Sequence, residues 1–271
     1  MGKVSKNKRI GVITKILTEN PNTLYTLNYF TEKFNCAKST LSEDIDVIEE
    51  FFEEYQLGKI ESFSGASGGI IYQPKVSTDQ IENVKLELCQ KIKEESRLMP
   101  GGYLYMNDIF YEPGMAYRIG KALANHFLDQ PIDYVVTIET KGIPLALMTA
   151  RILNKPMVVV RKSSRLTEGT AIQMNYITGS SKTIKTMSLA KKAIEKGSKI
   201  VFIDDFMKAG GTAKGIIDLM NEFEAEVVGI GVVMATKHPE KKLVDDFCYL
   251  VELEDLYDNE KEIKVLPNNT L

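Results

Sequence analysis

Cysteine is scarce in this chain, and its three positions, Cys36, Cys89 and Cys248, are scattered, odd in number and in no metal-ligand spacing. That excludes a disulfide framework and a zinc site, and it fits buried thiols in a reducing compartment. Long apolar runs are also missing. None approaches the roughly 20 residues needed to cross a bilayer, so no membrane segment is expected. The N-terminus, MGKVSKNKRIGVITKIL, is basic but lacks a continuous apolar region and a small-residue cleavage site, so it does not read as a secretory signal, and the expected location is the cytoplasm. Neither sign of charge dominates: 34 Lys and Arg stand against 37 Asp and Glu, a net charge of −3 that on its own argues against a nucleic-acid partner. What is present is the balance of a soluble globular protein, 44% hydrophobic and 26% charged residues. With 271 residues the chain has room for one large domain or two smaller ones.

The modest net charge conceals a separation. Before Leu41 the charges are mostly Lys3, Lys6, Lys8, Arg9, Lys15, Lys33 and Lys38, whereas Glu43 to Glu54 is dominated by acids. Ile10, Val12, Ile13, Ile16 and Leu17 give Lys6–Glu19 one apolar helical face, stopped by Asn20, Pro21 and Asn22. A second helix is expected over Leu27–Phe34. A third begins near Ser39, whose hydroxyl is placed to cap it, with Leu41, Ile45, Ile48, Phe51 and Phe52 facing a core. The four residues Asn35 to Lys38 join the two, which makes a helix-turn-helix candidate. Lys38, Ser39, Thr40 and Ser42 then open the helix that meets base edges and phosphates. Leu57–Phe63 and Ile70–Gln73 read as strands around the turn Ser64–Gly69 (SGASGG), so helices followed by a hairpin describe a winged helix. Ser64, Gly65 and Gly68 are the wing's candidate contacts to phosphate or sugar, with Lys6, Lys8 and Arg9 as basic partners for a DNA backbone. Residues 1–74 are therefore assigned to DNA binding and 75–271 to a second domain.

Past Pro74, Ile81–Ser96 reads as a helix, and a Pro-Gly-Gly turn precedes Tyr103, Leu104 and Tyr105. Tyrosines in such a run are more often core, but Tyr103 is kept as a candidate for a pocket. Helices over Gly114–Phe127 and Gly142–Leu153 alternate with strands at Tyr134–Ile138 and Met157–Val160. The alternation continues to Val227–Met234, which predicts an α/β domain built on a mainly parallel sheet.

One stretch of that alternation, Ile200–Gly215 (IVFIDDFMKAGGTAKG), carries the chemistry. Ile200 to Ile203 make a buried strand expected to end at Asp204. That places Asp204 and Asp205 at the sheet edge where open α/β folds bind ligands, and a ligand with hydroxyl groups suits them. Ala209, Gly210, Gly211 and Thr212 then let backbone N–H groups approach an anion at the start of a helix. The pattern resembles the phosphoribosyl-pyrophosphate (PRPP) motif of the type I phosphoribosyltransferase family. The resemblance implies that Asp204 and Asp205 grip ribose hydroxyls, and that Lys208 to Thr212, after Phe206 and Met207, wrap the 5'-phosphate. It also implies a pyrophosphate role for Thr140, Lys141 and Gly142 in the loop Glu139–Gly142 (ETKG). The polar stretch from Arg161 to Ser188, with a possible hairpin inside it, resembles the family's closing loop, with Arg161 and Lys162 at its base near pyrophosphate oxygens.

Across its whole length the chain resembles the purine operon repressor family of Gram-positive bacteria. The residues that carry this are AKSTLSEDI at Ala37–Ile45, SGASGG at Ser64–Gly69, TKGIPLA at Thr140–Ala146, TEGT at Thr167–Thr170, GSS with TMSLAKK between Gly179 and Lys192, and IDDFMKAGGT at Ile203–Thr212. The resemblance implies a winged helix fused to a type I phosphoribosyltransferase-like domain. It implies a homodimer that binds operator DNA and is released by PRPP in a pocket without catalysis, so no catalytic residue and no required cofactor is assigned. Guanine nucleotides, polyphosphorylated forms included, compete on this reading. Mg2+ accompanies PRPP, whose pyrophosphate is a strong oxygen ligand for that ion, and no protein-only metal cage is visible. The alternative is an active purine phosphoribosyltransferase with an N-terminal regulatory domain.

Overall fold

The structure is a computed structural model describing residues 4–65, 68–101, 103–163, 167, 169–178, 183–254 and 263–269. Ala66 and Ser67 of the wing turn, Gly102, part of the polar stretch after Arg161 and the acidic tail from residue 255 to 262 lie outside the described residues. The chain divides into two compact units, Met1–Ser77 with Ile152–Asn154, and Thr78–Arg151 with Lys155–Leu271. No helix among the described residues is long and apolar enough to cross a membrane.

In the first unit, α1 (Lys6–Glu19), α2 (Leu27–Phe34) and α3 (Lys38–Glu54) surround one core, in which Ile13 and Leu17 meet Phe30, Leu41, Ile45, Ile48 and Phe52. Thr26 caps α2 by accepting a hydrogen bond from the Tyr29 N–H, and Asn35, in the left-handed conformation at φ 48°, ends it. The cap expected from Ser39 is not formed. Ala37 holds the N-cap position of α3 with no side-chain hydrogen bond, and Ser39 lies inside the first turn. Short strand β1 (Tyr25–Thr26), β2 (Lys59–Phe63) and β3 (Gly69–Gln73) form a sheet in the order β1-β3-β2, and the β2–β3 hairpin is the expected wing. Tyr72 closes its base by donating to the Leu57 carbonyl at 2.8 Å.

The second unit opens with α4 (Thr78–Ile92) and a 3-10 turn at Glu95–Arg97. A ribbon of β4 (Leu98–Met99) and β5 (Tyr103–Leu104) follows, then α5 (Asn107–Phe110) and α6 (Pro113–Asn125). Next come β6 (Tyr134–Ile138), α7 (Gly142–Leu153), β7 (Met157–Val160), a hairpin of β8 (Ala171–Ile177) and β9 (Ile184–Ala190), β10 (Lys199–Met207), α8 (Gly211–Glu222), β11 (Glu226–Thr236), β12 (Cys248–Leu253) and β13 (Val265–Pro267). The central sheet runs β13-β12-β11-β10-β6-β7, parallel throughout except for β13. Val136, Ile138, Phe202 and Val232 pack on one face against Ile216, Leu219 and Met220 of α8. On the other face, Gly229 and Gly231 leave room for the Phe127 ring, which an added Cβ on Gly229 would meet at 2.6 Å.

β10 is longer than the sequence suggested. It does not end at Asp204, because β11 keeps pairing with it through Asp204↔Val232, Phe206↔Met234 and Met207↔Ala235. Both acids therefore sit inside the strand, before its last two residues Phe206 and Met207, where backbone pairing holds them more rigidly than a loop would.

The C-terminal strand is held by a fully buried lysine. Lys85 on α4 donates to Glu82 Oε1 and to the Asn268 carbonyl, both at 2.5 Å, and the Asn268 side-chain amide donates to the Tyr249 carbonyl of β12 at 2.8 Å. Lys85→Ala removes the ammonium's hydrogen bonds to Glu82 and the Asn268 carbonyl and opens a void. It is expected to cost about 2–4 kcal/mol by denaturant unfolding, the lost hydrogen bonds and the cavity together.

Candidate functional site

Glycine sets the geometry of the loop that opens α8. Gly210 holds φ 81° at the N-cap of α8, and no side chain caps that end, so the first N–H groups of a 12-residue helix point outward unpaired by capping. Helix N-termini of this kind attract anions. The segment 236–243 braces the loop from behind: Thr236 Oγ1 donates to the Lys208 carbonyl at 3.1 Å and the Leu243 N–H donates to the Ala209 carbonyl at 2.9 Å. The cleft in front, about 160 Å³, is lined by Asp204, Phe206 and Met207, by Lys208 through Ala213, and by Tyr176, Thr178 and Lys185.

The two acids face different ways. Asp204 is buried and opens on this cleft, while Asp205 lines a neighbouring one of about 140 Å³ with Tyr103, Leu104, Met106, Phe110, Lys141, Phe206, Met234 and Leu253. Phe206 borders both. Burial, and then the charge of Asp205, hold the Asp204 carboxyl well above the usual carboxylate range, and the nearby Lys162 ammonium opposes this only in part. The Asp205 N–H donates to Asp204 Oδ1 at 2.9 Å. Without a ligand, burial and the Asp205 charge both favour the neutral form of Asp204 over what a free carboxyl would show.

Over the acids lies the loop Glu139–Gly142, with a cis peptide between Glu139 and Thr140. Gly142 is buried at the start of α7, and a Cβ there would lie 2.6 Å from Thr137 Oγ1 and 2.9 Å from Asp204 Oδ1. Only glycine lets this loop approach the acid so closely. The Glu139 carboxylate ties the loop to the base of the polar excursion, accepting from the Lys162 N–H at 2.6 Å and pairing with Arg161 at 3.6 Å. Arg161 also exchanges backbone hydrogen bonds with Ser188, at 2.9 and 2.8 Å, so the C-terminal half of β9 runs beside the cations.

A model of the phosphoribosyl transferase domain matches residues 106–268, and one described as the N-terminal domain of the bacterial purine repressor matches residues 5–74. The purine biosynthesis transcriptional repressor PurR of Bacillus subtilis is 40% identical over 269 residues, 99% of this chain and 94% of its own. This chain belongs to the PurR family. Another relative, the purine biosynthesis transcriptional activator PurR of Lactococcus lactis, is 34% identical over 93% of each chain. Among solved structures, the adenine phosphoribosyltransferase of Rhodothermus marinus superposes with a TM-score of 0.53 at 24% identity, over 62% of this chain and 97% of that one, a likeness of fold. The curated PurR relatives are named as transcriptional regulators, and the chain is a purine biosynthesis regulator of that family.

Against this PurR framework, the structure brings Asp204, Asp205, Thr140, Lys141, Gly142, Arg161, Lys162 and the Lys208–Thr212 loop to one end of the parallel sheet. Tyr103 reaches the same end from the β4–β5 ribbon and is 71% exposed there. Sequence reasoning missed Tyr176, Thr178 and Lys185. Their signal was the alternation along the hairpin, which turns Tyr176 on β8 and Thr178 just past its end inward and brings the Tyr176 hydroxyl to Thr212.

The DNA-facing candidates divide. Lys6, Lys8, Lys38, Ser39, Ser42, Ser64 and Gly65 are exposed, and Thr40 and Gly68 are half-buried. Arg9 is a correction. It is 5% exposed, its guanidinium donates to both oxygens of the fully buried Asp44 at 2.6 and 3.0 Å and to the Val4 carbonyl at 2.6 Å, and it pins α1 to α3. Its carboxylate partner lies 35 residues away, which local charge patterning could not reveal.

Proposed function

We propose that this chain is a repressor of purine genes that binds operator DNA as a homodimer and lets go when PRPP occupies the sheet-edge cleft, without transferring the phosphoribosyl group. One observation supports this most: a cradle for a phosphate and a pair of acids for a diol meet at one sheet end in a chain whose N-terminal residues match the purine repressor domain. The 5'-phosphate rests on the α8 N-terminus with Lys208 and Thr212, the ribose hydroxyls donate to Asp204 and Asp205, and the pyrophosphate meets the Thr140–Gly142 loop with Arg161 and Lys162. Mg2+ arrives on the effector's own pyrophosphate oxygens. Among the described residues, no three His, Cys, Asp or Glu side chains gather to hold an ion. The apolar cleft with Tyr103 and Phe206 suits the base of a competing guanine nucleotide.

Release is a linkage between two sites, and PRPP acts only by as much as it favours the conformation that does not bind DNA. The sign at a given promoter depends on where the operator lies, and the relative in Lactococcus lactis is named an activator. Incubation with PRPP and each purine base is expected to release no pyrophosphate above background. Sustained turnover would replace this reading with that of an active transferase.

A further inference from the structure

Thr137 lies on β6 just before the Glu139–Gly142 loop, and nothing in the site described so far uses it. Its side chain is fully buried, and its hydroxyl has no hydrogen-bond partner among the described residues. A hydroxyl in that condition is costly, because desolvation is not repaid by a new bond. Its surroundings show where a partner comes from. The position a Cβ on Gly142 would take is 2.6 Å from Thr137 Oγ1 and 2.9 Å from Asp204 Oδ1, so the two oxygens face the same small gap beneath the loop.

We infer that Thr137 is a positioning residue of the effector site, its hydroxyl donating to the Asp204 carboxylate once the effector's diol has drawn that acid into its ionised form. In the empty cleft, burial and then the charge of Asp205 raise the Asp204 carboxyl and favour its neutral form, and a protonated acid asks little of a donor. Binding a diol and a pyrophosphate-bound cation expels that proton. The carboxylate then takes hydrogen bonds from the ligand, from the Asp205 N–H and from Thr137. The charged and titratable groups around it are Asp205 on the same strand, Lys162 after β7, Tyr176 and Lys185 on the hairpin, Lys208 in the phosphate loop and Lys141 beside Asp205. Unlike Asp205 and the lysines among them, Thr137 is neutral, so it steadies the ionised acid without drawing the proton off beforehand.

The signs give a signature that a merely structural role lacks. Thr137 has no partner in the empty state, so replacing it leaves the empty-state pKa of Asp204 unchanged. In the bound state its loss raises that pKa. Thr137→Val should therefore leave PRPP binding at the wild-type level below the wild-type bound-state pKa of Asp204 and weaken it by the full amount above the variant's bound-state pKa.

This rests on the reading of the cleft as a PRPP site. Calorimetric titration of the full-length protein with Mg2+–PRPP over a range of pH tests it on wild type, Thr137→Val and Thr137→Ser. The ratio of variant to wild-type affinity cancels the effector's own titration. We expect Thr137→Val to fold, with a thermal midpoint no lower than wild type, and to lose roughly tenfold at the high-pH end, one pKa unit, with no loss at the low end. Thr137→Ser keeps the wild-type profile. A loss equal at every pH, or none, overturns the role of Thr137 while leaving the PRPP reading intact. No binding by wild type at any pH defeats the PRPP reading and the inference with it.

Discussion

Asp204→Ala and Asp205→Ala are expected to bind operator DNA as tightly as wild type and to ignore PRPP. On the proposed reading each carboxylate accepts a hydrogen bond from a ribose hydroxyl, and hydrogen bonds to charged groups contribute about 1.5–3 kcal/mol apiece. Losing one such contact together with its share of the Mg2+–PRPP electrostatics weakens the effector by on the order of 100-fold. Neither change should damage the fold. Asp204 is buried, with its carboxyl raised by burial and by the charge of Asp205, so its removal relieves both, and Asp205 is half-buried at a cleft wall. The readout is operator affinity with and without PRPP. Full PRPP response in both variants would remove the acids from the effector site. The structure adds a distinction that the sequence did not. Asp205 borders the cleft with Tyr103 and Phe206, and Asp204 the cleft with the phosphate loop, so a guanine nucleotide should feel the loss of Asp205 more than ribose 5-phosphate does.

Much of this was legible from residue order because the signals were local. The run Ile200–Ile203, two acids and a Gly-Gly-Thr turn fix a strand, a sheet edge and a helix start within sixteen residues. Helix faces in the first unit follow from apolar spacing, and α1, α2, β6, α7 and β7 have the expected bounds. What escaped depended on partners far away in sequence. The length of β10 is decided by how far β11 keeps pairing, the pocket role of Tyr176 by how β8 lies over α8, and the burial of Arg9 by Asp44. Ser39 is the exception, a local error: Ser39 offered a good capping side chain, but the cap lies two residues earlier, at Ala37.

Arg9→Ala is expected to weaken DNA binding for a reason unlike that of Lys38→Ala. Arg9 and Asp44 form a pair with side-chain exposures of 6% and 1% inside a small unit. Removing the cation leaves a buried carboxylate without its partner, and breaking a buried pair in this way costs about 3 kcal/mol. The first unit has a modest core of about a dozen buried apolar side chains to absorb that loss, so a lowered melting transition or loss of its helical signal should accompany the DNA defect. The salt dependence of whatever binding survives should match wild type, because Arg9 does not reach a phosphate. Lys38, exposed at the start of α3, should behave in the opposite way: wild-type stability, weaker binding and a log–log salt slope reduced by about one. A reduced slope for Arg9→Ala with unchanged stability would mean the guanidinium leaves Asp44 for DNA. The double variant Arg9→Met, Asp44→Leu, which removes both charges and keeps the packing, should recover most of the stability.

The central claim is that one cleft converts PRPP into release of DNA. Its most direct test is a fluorescence-anisotropy titration of purified full-length protein on its operator duplex at fixed salt, with increasing Mg2+–PRPP. Operator affinity should fall in a saturable way with PRPP, the fall should vanish in Asp204→Ala, and guanosine polyphosphates should restore binding by competing for the site. Operator affinity unmoved by PRPP at saturating concentrations, or moved equally in wild type and Asp204→Ala, would contradict it.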